Sequence, residues 1–271
     1  MLEPIVDAFR KGSKSFVFIG DSDTGKTTLC RKVAEFLLKE GLRVALIDAD
    51  IGQSSLFLPA TVSAKVLQDV NELNSRDPDY FFFVGLWNPA LAPDIQIKAT
   101  YRAYEFVKDK ADVVLVDTTG LVKGRYGIKL KIEKFRILNP SKIIAIQKAQ
   151  ELQPLIEMLP SDRVLLLKPS EAVRIRSRTE RILYRKKLYR DYFKTLYLCR
   201  VPGTRVKFLY NFTARHQRGL ICALVIDGIA KALGVIDEYH FAEIEVLTPL
   251  EETHIERCLV GGVFIDEELY L

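Results

Sequence analysis

The chain has 271 residues, 48% hydrophobic and 28% charged, with a formal net charge of +5. That is ordinary globular composition, enough for one large α/β domain or one with a small appendage. No apolar run reaches the roughly 18 residues of a membrane span, and Met1-Leu2-Glu3-Pro4 does not open a signal peptide, so no membrane association and a cytoplasmic location are expected. Cys30, Cys199, Cys222 and Cys258 lie far apart, and His216, His240 and His254 show no metal-ligand spacing. Reduced, mostly buried thiols are expected, with neither a disulfide framework nor a zinc site.

Residues 1 to 14 read as a short lead-in helix and turn, and Ser15 to Ile19 as a buried strand. Gly20-Asp21-Ser22-Asp23-Thr24-Gly25-Lys26-Thr27-Thr28 follows, matching G-x-x-x-x-G-K-[ST]. A helix then runs from Lys26 to about Lys39, with Leu29, Val33, Phe36 and Leu37 on one face. Strand, glycine-rich loop and helix are the context a phosphate-binding loop requires. Gly20 and Gly25 allow backbone angles and approaches that a Cβ would block. The loop N–H groups form an anion nest at a helix N-terminus. Lys26 can reach the β- and γ-phosphates of a nucleotide, and the Thr27 hydroxyl can ligate Mg²⁺. All nine loop residues are therefore candidate nucleotide-binding residues.

Gly41 stops the helix. Arg43 to Asp48 reads as a second strand, ending in Asp48-Ala49-Asp50-Ile51-Gly52-Gln53. Carboxylates there sit at the mouth of the ligand crevice of an open α/β sheet, and one of Asp48 and Asp50 can instead serve a turn. Residues 54 to 78 look less regular, punctuated by Pro59, Asn71, Asn74 and Pro78. A strand at Tyr80 to Gly85 precedes a loop carrying Trp87, which suits either base stacking or packing. A helix is expected from about Pro93 to Lys110.

Asp112 to Asp117 is an apolar strand ending in an acid, the Walker-B pattern, which would make Asp117 a Mg²⁺ ligand. Thr118-Thr119-Gly120 follows, then Lys123-Gly124-Arg125-Tyr126-Gly127 and a basic helix through Lys129, Lys131, Lys134 and Arg136. After the strand at Lys142 to Ile146 stands Gln147-Lys148-Ala149-Gln150, so the guanine-selecting Asn-Lys-x-Asp of a switch GTPase is missing. A helix at Glu151 to Met158 and a strand at Val164 to Leu167 complete an alternation that predicts a mostly parallel sheet with helices on both faces, the P-loop NTPase class of α/β fold.

Residues 171 to 190 hold eight basic and two acidic residues, so nearly all the excess positive charge lies in one helical segment. With few acids to pair with, it suits a mobile lid over phosphates or a surface for a polyanion. Beyond Leu196, short strands with glycine turns are expected at Val206 to Phe212, Gly219 to Ile226, Gly234 to Asp237, Ile244 to Leu247 and Val263 to Ile265. The expected organisation is a P-loop domain over 1–195, with its lid at 171–193, and a small β-rich domain over 196–271.

Four of these landmarks in this order resemble the polynucleotide 5′-hydroxyl kinases. That family includes the kinase subunit of the eukaryotic mRNA 3′-end cleavage machinery, the pre-rRNA-processing kinases, and archaeal and bacterial relatives. The landmarks are Gly20-x4-Gly25-Lys26-Thr27-Thr28; Asp48-x-Asp50-x-Gly52-Gln53-Ser54; Asp117-Thr118-Thr119-Gly120-x-Val122-Lys123-Gly124; and Arg176, Arg181 and Arg185 before Tyr192-Phe193. The resemblance implies transfer of the γ-phosphate of ATP, or another NTP, to the 5′-hydroxyl of RNA or DNA, with Mg²⁺. It implies that Lys26 binds phosphate, that Thr27, Asp50 and Asp117 surround the metal, and that Asp50 orients or deprotonates the hydroxyl. Arg176, Arg181 and Arg185 would act from the lid, and Gln53, Thr118, Thr119, Lys123 and Arg125 would face substrate. Where the family often carries a base-stacking Trp, this chain has Leu121. Only about 14 residues precede the first strand, so a minimal bacterial or archaeal type of kinase is expected in preference to a member with an N-terminal β-rich domain. The alternative is a non-catalytic ATP-binding scaffold subunit.

Overall fold

In a computed structural model, residues 1–211, 217–240, 242–251 and 254–270 are described. The chain divides into two compact units, Met1–Phe82 with Asn88–Arg176, and Phe83–Trp87 with Ser177–Leu271.

The first unit follows the apolar runs in order. It comprises α1 (Glu3–Arg10), β1 (Ser15–Gly20), α2 (Lys26–Lys39), β2 (Val44–Ala49), β3 (Thr61–Leu67), β4 (Tyr80–Phe83), α3 (Pro93–Val107), β5 (Val113–Thr118), α4 (Gly124–Leu138), β6 (Lys142–Ile146), α5 (Gln153–Ile156) and β7 (Val164–Leu167). The strands form one sheet in the order β4-β3-β2-β5-β1-β6-β7. β2, β5, β1, β6 and β7 are parallel, while β3 runs antiparallel to β2, which makes the sheet mixed. Each parallel strand needs a crossover to return the chain to the same end, and the intervening helices supply it. Alternate residues of β1 face opposite sides. Phe16 and Phe18 pack with Leu29, Val33 and Leu37 of α2 and Ile5 of α1, whereas Val17 and Ile19 are buried on the other side. Phe36 of α2 is only partly buried against the same core.

Register places the carboxyl ends together. Asp48 of β2 is paired with Asp117 of β5, and Asp117 with Phe18 of β1, two residues before the loop glycine. The sheet therefore brings the two acidic strand ends and the phosphate-binding loop to one edge, where an open α/β sheet binds ligands.

Three differences from the sequence reading have physical causes. β3 lies inside the stretch read as irregular; its hydroxyl residues Thr61 and Ser63 are buried, so no clear apolar alternation marks it. The helix expected over 151–158 reduces to α5, a single turn with Pro154 near its start. The helix expected to continue to Lys110 ends at Val107.

The second unit contains α6 (Arg178–Tyr192) and strands β8 (Tyr197–Pro202), β9 (Val206–Phe208), β10 (Leu220–Ile226), β11 (Ile229–Tyr239), β12 (Glu243–Thr248) and β13 (Arg257–Phe264). These form a six-stranded sheet in the order β8-β12-β11-β10-β13-β9, antiparallel except for β13 with β9. Its core includes Cys199, Val201, Cys222, Leu224, Ile236, Val246, Cys258 and Val260. β8 went unread because Tyr197, Leu198 and Arg200 are exposed and the run ends in Pro202. Phe212, the expected end of one strand, and His216 lie outside the described residues. Cys30, Cys199, Cys222 and Cys258 are buried free thiols. No helix among the described residues is long and apolar enough to cross a membrane.

Candidate phosphoryl-transfer site

The loop from Gly20 to Gly25 is shaped by its two glycines. A Cβ on Gly20 would come within 2.7 Å of the Ile146 carbonyl oxygen, and Gly25 adopts φ +84° at the start of α2. Within the loop, Lys26 Nζ donates to the Asp21 carbonyl at 2.7 Å, and Thr24 Oγ1 donates to the same oxygen at 2.9 Å. Ser22 N–H donates to Asp21 Oδ1 at 2.7 Å, and Asp23 has φ +52°. Thr24 and Lys26 are buried, whereas Ser22 and Thr28 are exposed. Burial lowers the Lys26 pKa, against the opposing pull of Asp117, Asp50, Asp21 and Asp23. The ammonium thus rests among carboxylates, folded back on its own loop.

Thr27 and Asp117 meet directly, Oγ1 donating to Oδ2 at 2.5 Å. Asp117 is 2% exposed and its Oδ1 has no hydrogen-bond partner. Burial and the Asp48 carboxylate push its pKa up to about 7, with Lys26 and the Thr27 hydroxyl pulling the other way. A hydroxyl, a carboxylate and an unpartnered carboxylate oxygen beside a phosphate-binding loop form a hard-oxygen donor set that fits Mg²⁺, an ion usually held by one or two carboxylates plus water and phosphate. Among the described residues there is no cluster of three or more His, Cys, Asp or Glu able to cage a metal. A site completed by phosphate oxygens needs no such cluster.

The two acids of the second motif have different surroundings. Asp48 is buried and gathers the following loop: Oδ1 accepts from Asp50 N–H at 3.0 Å, and Oδ2 accepts from Ser55 N–H at 2.5 Å, Leu56 N–H at 3.0 Å, and the Ser54 and Ser55 hydroxyls at 3.1 Å each. Burial raises its pKa, opposed by these backbone donors. Asp48 is the residue that serves the turn. Asp50 is only half-buried; its Oδ1 accepts from Gly52 N–H at 3.0 Å and Gln53 N–H at 3.2 Å. It stands at the rim of the crevice, oriented by the loop that Asp48 holds. Gln53 turns its amide to the Gly52 carbonyl at 2.8 Å.

The Thr-Thr-Gly turn packs against the phosphate loop. A Cβ on Gly120 would lie 2.7 Å from Ser22 N and 2.9 Å from Ser22 Cα. Thr118 and Thr119 are buried; the Thr118 hydroxyl donates to the Phe18 carbonyl at 2.7 Å. Lys123, exposed, forms an ion pair with Asp21 at 2.6 Å, and Arg125 is exposed on the first turn of α4. Burial pushes the Asp21 carboxyl up, but its bonds to Lys123 and Ser22 N–H prevail and lower it.

Arg176 N–H donates to Asp23 Oδ2 at 3.3 Å, and its guanidinium lies 3.8 Å from Asp23 Oδ1. This arginine therefore touches the phosphate loop. Arg181 and Arg185 lie on α6 in the second unit, one helical turn apart. α6 starts at a capping box in which Ser177 accepts from Glu180 N–H and Glu180 accepts from Ser177 N–H. In that same unit the Arg185 guanidinium lies 5.0 Å from the centre of the Trp87 ring, and Trp87 Nε1–H donates to the Tyr189 hydroxyl at 3.3 Å. Trp87 is a packing residue with a cation on its face. Leu121 is half-buried.

Sequence reasoning missed α4 as a component. Lys131 and Lys134, read as part of a basic helix, are 3% and 1% exposed. Lys131 Nζ donates to Thr118 Oγ1 at 2.8 Å and to the Thr119 carbonyl at 2.5 Å, tying the turn to the helix. The available signal was periodicity: Gly127, Leu130, Lys134 and Leu138 share one helical stripe, so the lysines interrupt a buried face.

Comparison with known proteins places this geometry. Residues 20–195 match the family described as mRNA cleavage and polyadenylation factor CLP1 P-loop. A polyribonucleotide 5′-hydroxyl-kinase of Pyrococcus furiosus is 39% identical over 189 residues, which is 69% of this chain and 52% of that protein. One of Methanocaldococcus jannaschii is 37% identical over 180 residues, 66% of this chain and 50% of that protein. The chain spans about half the length of these curated relatives. Among solved structures, Clp1p in its complex with Pcf11p gives a TM-score of 0.76 at 14% identity, covering 97% of this chain and 77% of that one, a likeness of fold.

Proposed function

Because the chain belongs to the CLP1 P-loop family, we propose that it is a polynucleotide 5′-hydroxyl kinase, transferring the γ-phosphate of ATP to the 5′-hydroxyl end of RNA. The observation that carries this reading is the pairing of a phosphate loop, Lys26 and Thr27 against Asp117, with a second carboxylate, Asp50, at the rim of the same crevice. The names of the archaeal relatives support RNA as the acceptor; DNA ends are the competing acceptor.

Phosphoryl transfer is mostly positioning and charge stabilisation. Residues 20 to 28 would cradle the β- and γ-phosphates, Lys26 exchanging the Asp21 carbonyl for phosphate oxygen. Thr27 and Asp117, with Asp50 on the acceptor side, would hold Mg²⁺, which when bound neutralises phosphate charge. Asp50 would accept the proton of the 5′-hydroxyl as its oxygen bonds to the γ-phosphorus. The bond from that phosphorus to the β–γ bridging oxygen breaks, and ADP leaves with the electron pair. Arg176, Arg181 and Arg185 are proposed to stabilise charge on the transferring group. Gln53, Lys123 and Arg125 are proposed to steady the polynucleotide end, Lys123 after release from Asp21. Thr118 and Thr119 would back the γ-phosphate side through the turn that Lys131 fixes. Buried free thiols support a reducing, cytoplasmic setting.

The test is incubation of the chain with ATP, Mg²⁺ and matched RNA oligonucleotides carrying either a 5′-hydroxyl or a 5′-phosphate. ADP release that requires the 5′-hydroxyl end supports the kinase. ATP binding without transfer to any RNA or DNA end would overturn it.

A further inference from the structure

α4 buries two lysines, and their situations differ. Lys131 has hydrogen-bond acceptors in Thr118 and Thr119. Lys134, nearly one turn further on, has none: its Nζ is buried and without a hydrogen-bond partner. A buried ammonium left unbonded destabilises the fold, and a methionine of similar length would fill the space without that cost.

The charges that act on Lys134 are those of Asp50, Asp48 and Asp117. Two further buried polar atoms lack partners around the same strand ends. One is Asp117 Oδ1. The other is Oε1 of Gln96 on α3, a fully buried side chain whose Nε2 donates at 3.1 Å to the carbonyl of Ala49, the residue between Asp48 and Asp50. Gln96 thereby grips the backbone that carries Asp50 and still presents an unused acceptor. An unbonded cation and two unbonded acceptors among three carboxylates describe the inner wall of a site with polar capacity left over.

We infer that Lys134 is a positioning residue for the acceptor hydroxyl: its buried charge, with Gln96 on the Ala49 carbonyl, holds the Asp50 carboxylate ionised and aimed at the incoming 5′-end. The inference rests on the kinase reading above. Lys134 does not touch the reacting atoms; it acts through Asp50. Three carboxylates in a buried cluster repel one another, and Lys26 is committed to phosphate once nucleotide is bound. Lys134 is then the cation left to offset the acceptor side.

A role exercised through Asp50 has a signature that a packing role lacks. Lys134→Met, and Lys134→Gln as a second variant, would be assayed for kcat, for KM of ATP and of 5′-hydroxyl RNA, and for Tm. Each would also be combined with Asp50→Asn. The expected result is a fall in kcat of about 10- to 100-fold, the range of a positioned catalytic group, with KM for ATP within about two-fold. Tm should be equal to wild type or higher for the Met variant. In the Asp50→Asn background, loss of Lys134 should change kcat by less than about two-fold, because coupled residues are not additive. Multiplicative losses in the double variants, wild-type kcat in the single variants, or a lower Tm for both would overturn the inference while leaving the kinase reading standing. Absence of transfer by the wild-type chain would overturn the kinase reading, and this inference with it.

Discussion

Gly120→Ala tests whether the Thr-Thr-Gly turn supports the phosphate loop. The added methyl would sit 2.7 Å from Ser22 N and 2.9 Å from Ser22 Cα, distances that real Cβ atoms do not tolerate. The obstacle is backbone, so no rotamer change relieves it, and either the turn or the loop must move. The turn is anchored by Lys131 on the Thr119 carbonyl and by Thr118 on the Phe18 carbonyl. The loop therefore yields, and Ser22 carries with it the Asp21 carbonyl that positions Lys26 Nζ and Thr24 Oγ1. Overpacking of this kind costs about 1–3 kcal/mol. If that falls on the nucleotide-competent loop, ATP affinity drops by about 5- to 150-fold. The assay is equilibrium binding of a fluorescent ATP analogue, alongside thermal unfolding. Gly41→Ala is the control: it has φ +80° with open space around its Cβ, so it destabilises through backbone strain without touching the loop. Nucleotide affinity within two-fold of wild type in Gly120→Ala would refute the reasoning, as would an equal loss in Gly41→Ala.

Lys134 gives a pH prediction for stability. Burial lowers its pKa from 10.5 to about 7, so the folded state holds the proton less tightly than the unfolded chain. Below pH 7 the lysine is charged in both states and its burial is fully unfavourable; as pH rises from 7 toward 10.5 that penalty is relieved. Lys134→Met should therefore exceed wild type in stability most at pH 7 and below, by at most about 5 kcal/mol, with the gap closing by pH 10. Denaturant unfolding across that range would show a constant gap if the amine were not the cause. Asp48→Asn replaces an acceptor of four donors on one oxygen, so at least one N–H or O–H loses its partner, at a cost of about 1–3 kcal/mol. It should also raise proteolytic cleavage between residues 50 and 56, and an unchanged cleavage rate would count against Asp48 as the holder of that loop. Lys123→Ala removes the ion pair with Asp21 and should leave Tm nearly unchanged, since exposed pairs contribute about 0–1 kcal/mol. Its KM for 5′-hydroxyl RNA should rise, and a large Tm loss would reassign Lys123 to structure.

The parts of the site that were legible in the sequence are those whose chemistry is local. The phosphate loop declares itself because two glycines, a lysine and a threonine must stand at fixed intervals between a strand and a helix. Asp117 is legible because an apolar run ends on it. The two acids at 48 and 50 could be seen but not separated. Only the fold shows that Asp48 is consumed by the serine loop and that Asp50 is left at the rim. β3 escaped because its partner is β2, distant enough in sequence that pairing, rather than its own alternation, makes it a strand. Lys131 and Lys134 escaped for a different reason. A lysine in a charged helix reads as solvated, and its burial depends on how α4 is rotated by Gly127, whose Cβ would collide with the Val122 backbone. Arg181 and Arg185 were placed on a helix correctly, but a charge count could not reveal that Arg185 lies over Trp87.

The central claim is transfer of phosphate to a 5′-end by a site in which Lys26 and Asp50 act on opposite partners. The most direct measurement follows γ-labelled ATP into 5′-hydroxyl RNA, with the label mapped to the terminal 5′-phosphate, for wild type, Lys26→Ala and Asp50→Ala. The account predicts labelled 5′-ends with wild type, no label with Lys26→Ala, and for Asp50→Ala a kcat at least about 100-fold lower with nucleotide affinity retained. Label absent from every RNA and DNA end with the wild-type chain, or an Asp50→Ala variant as fast as wild type, would contradict it.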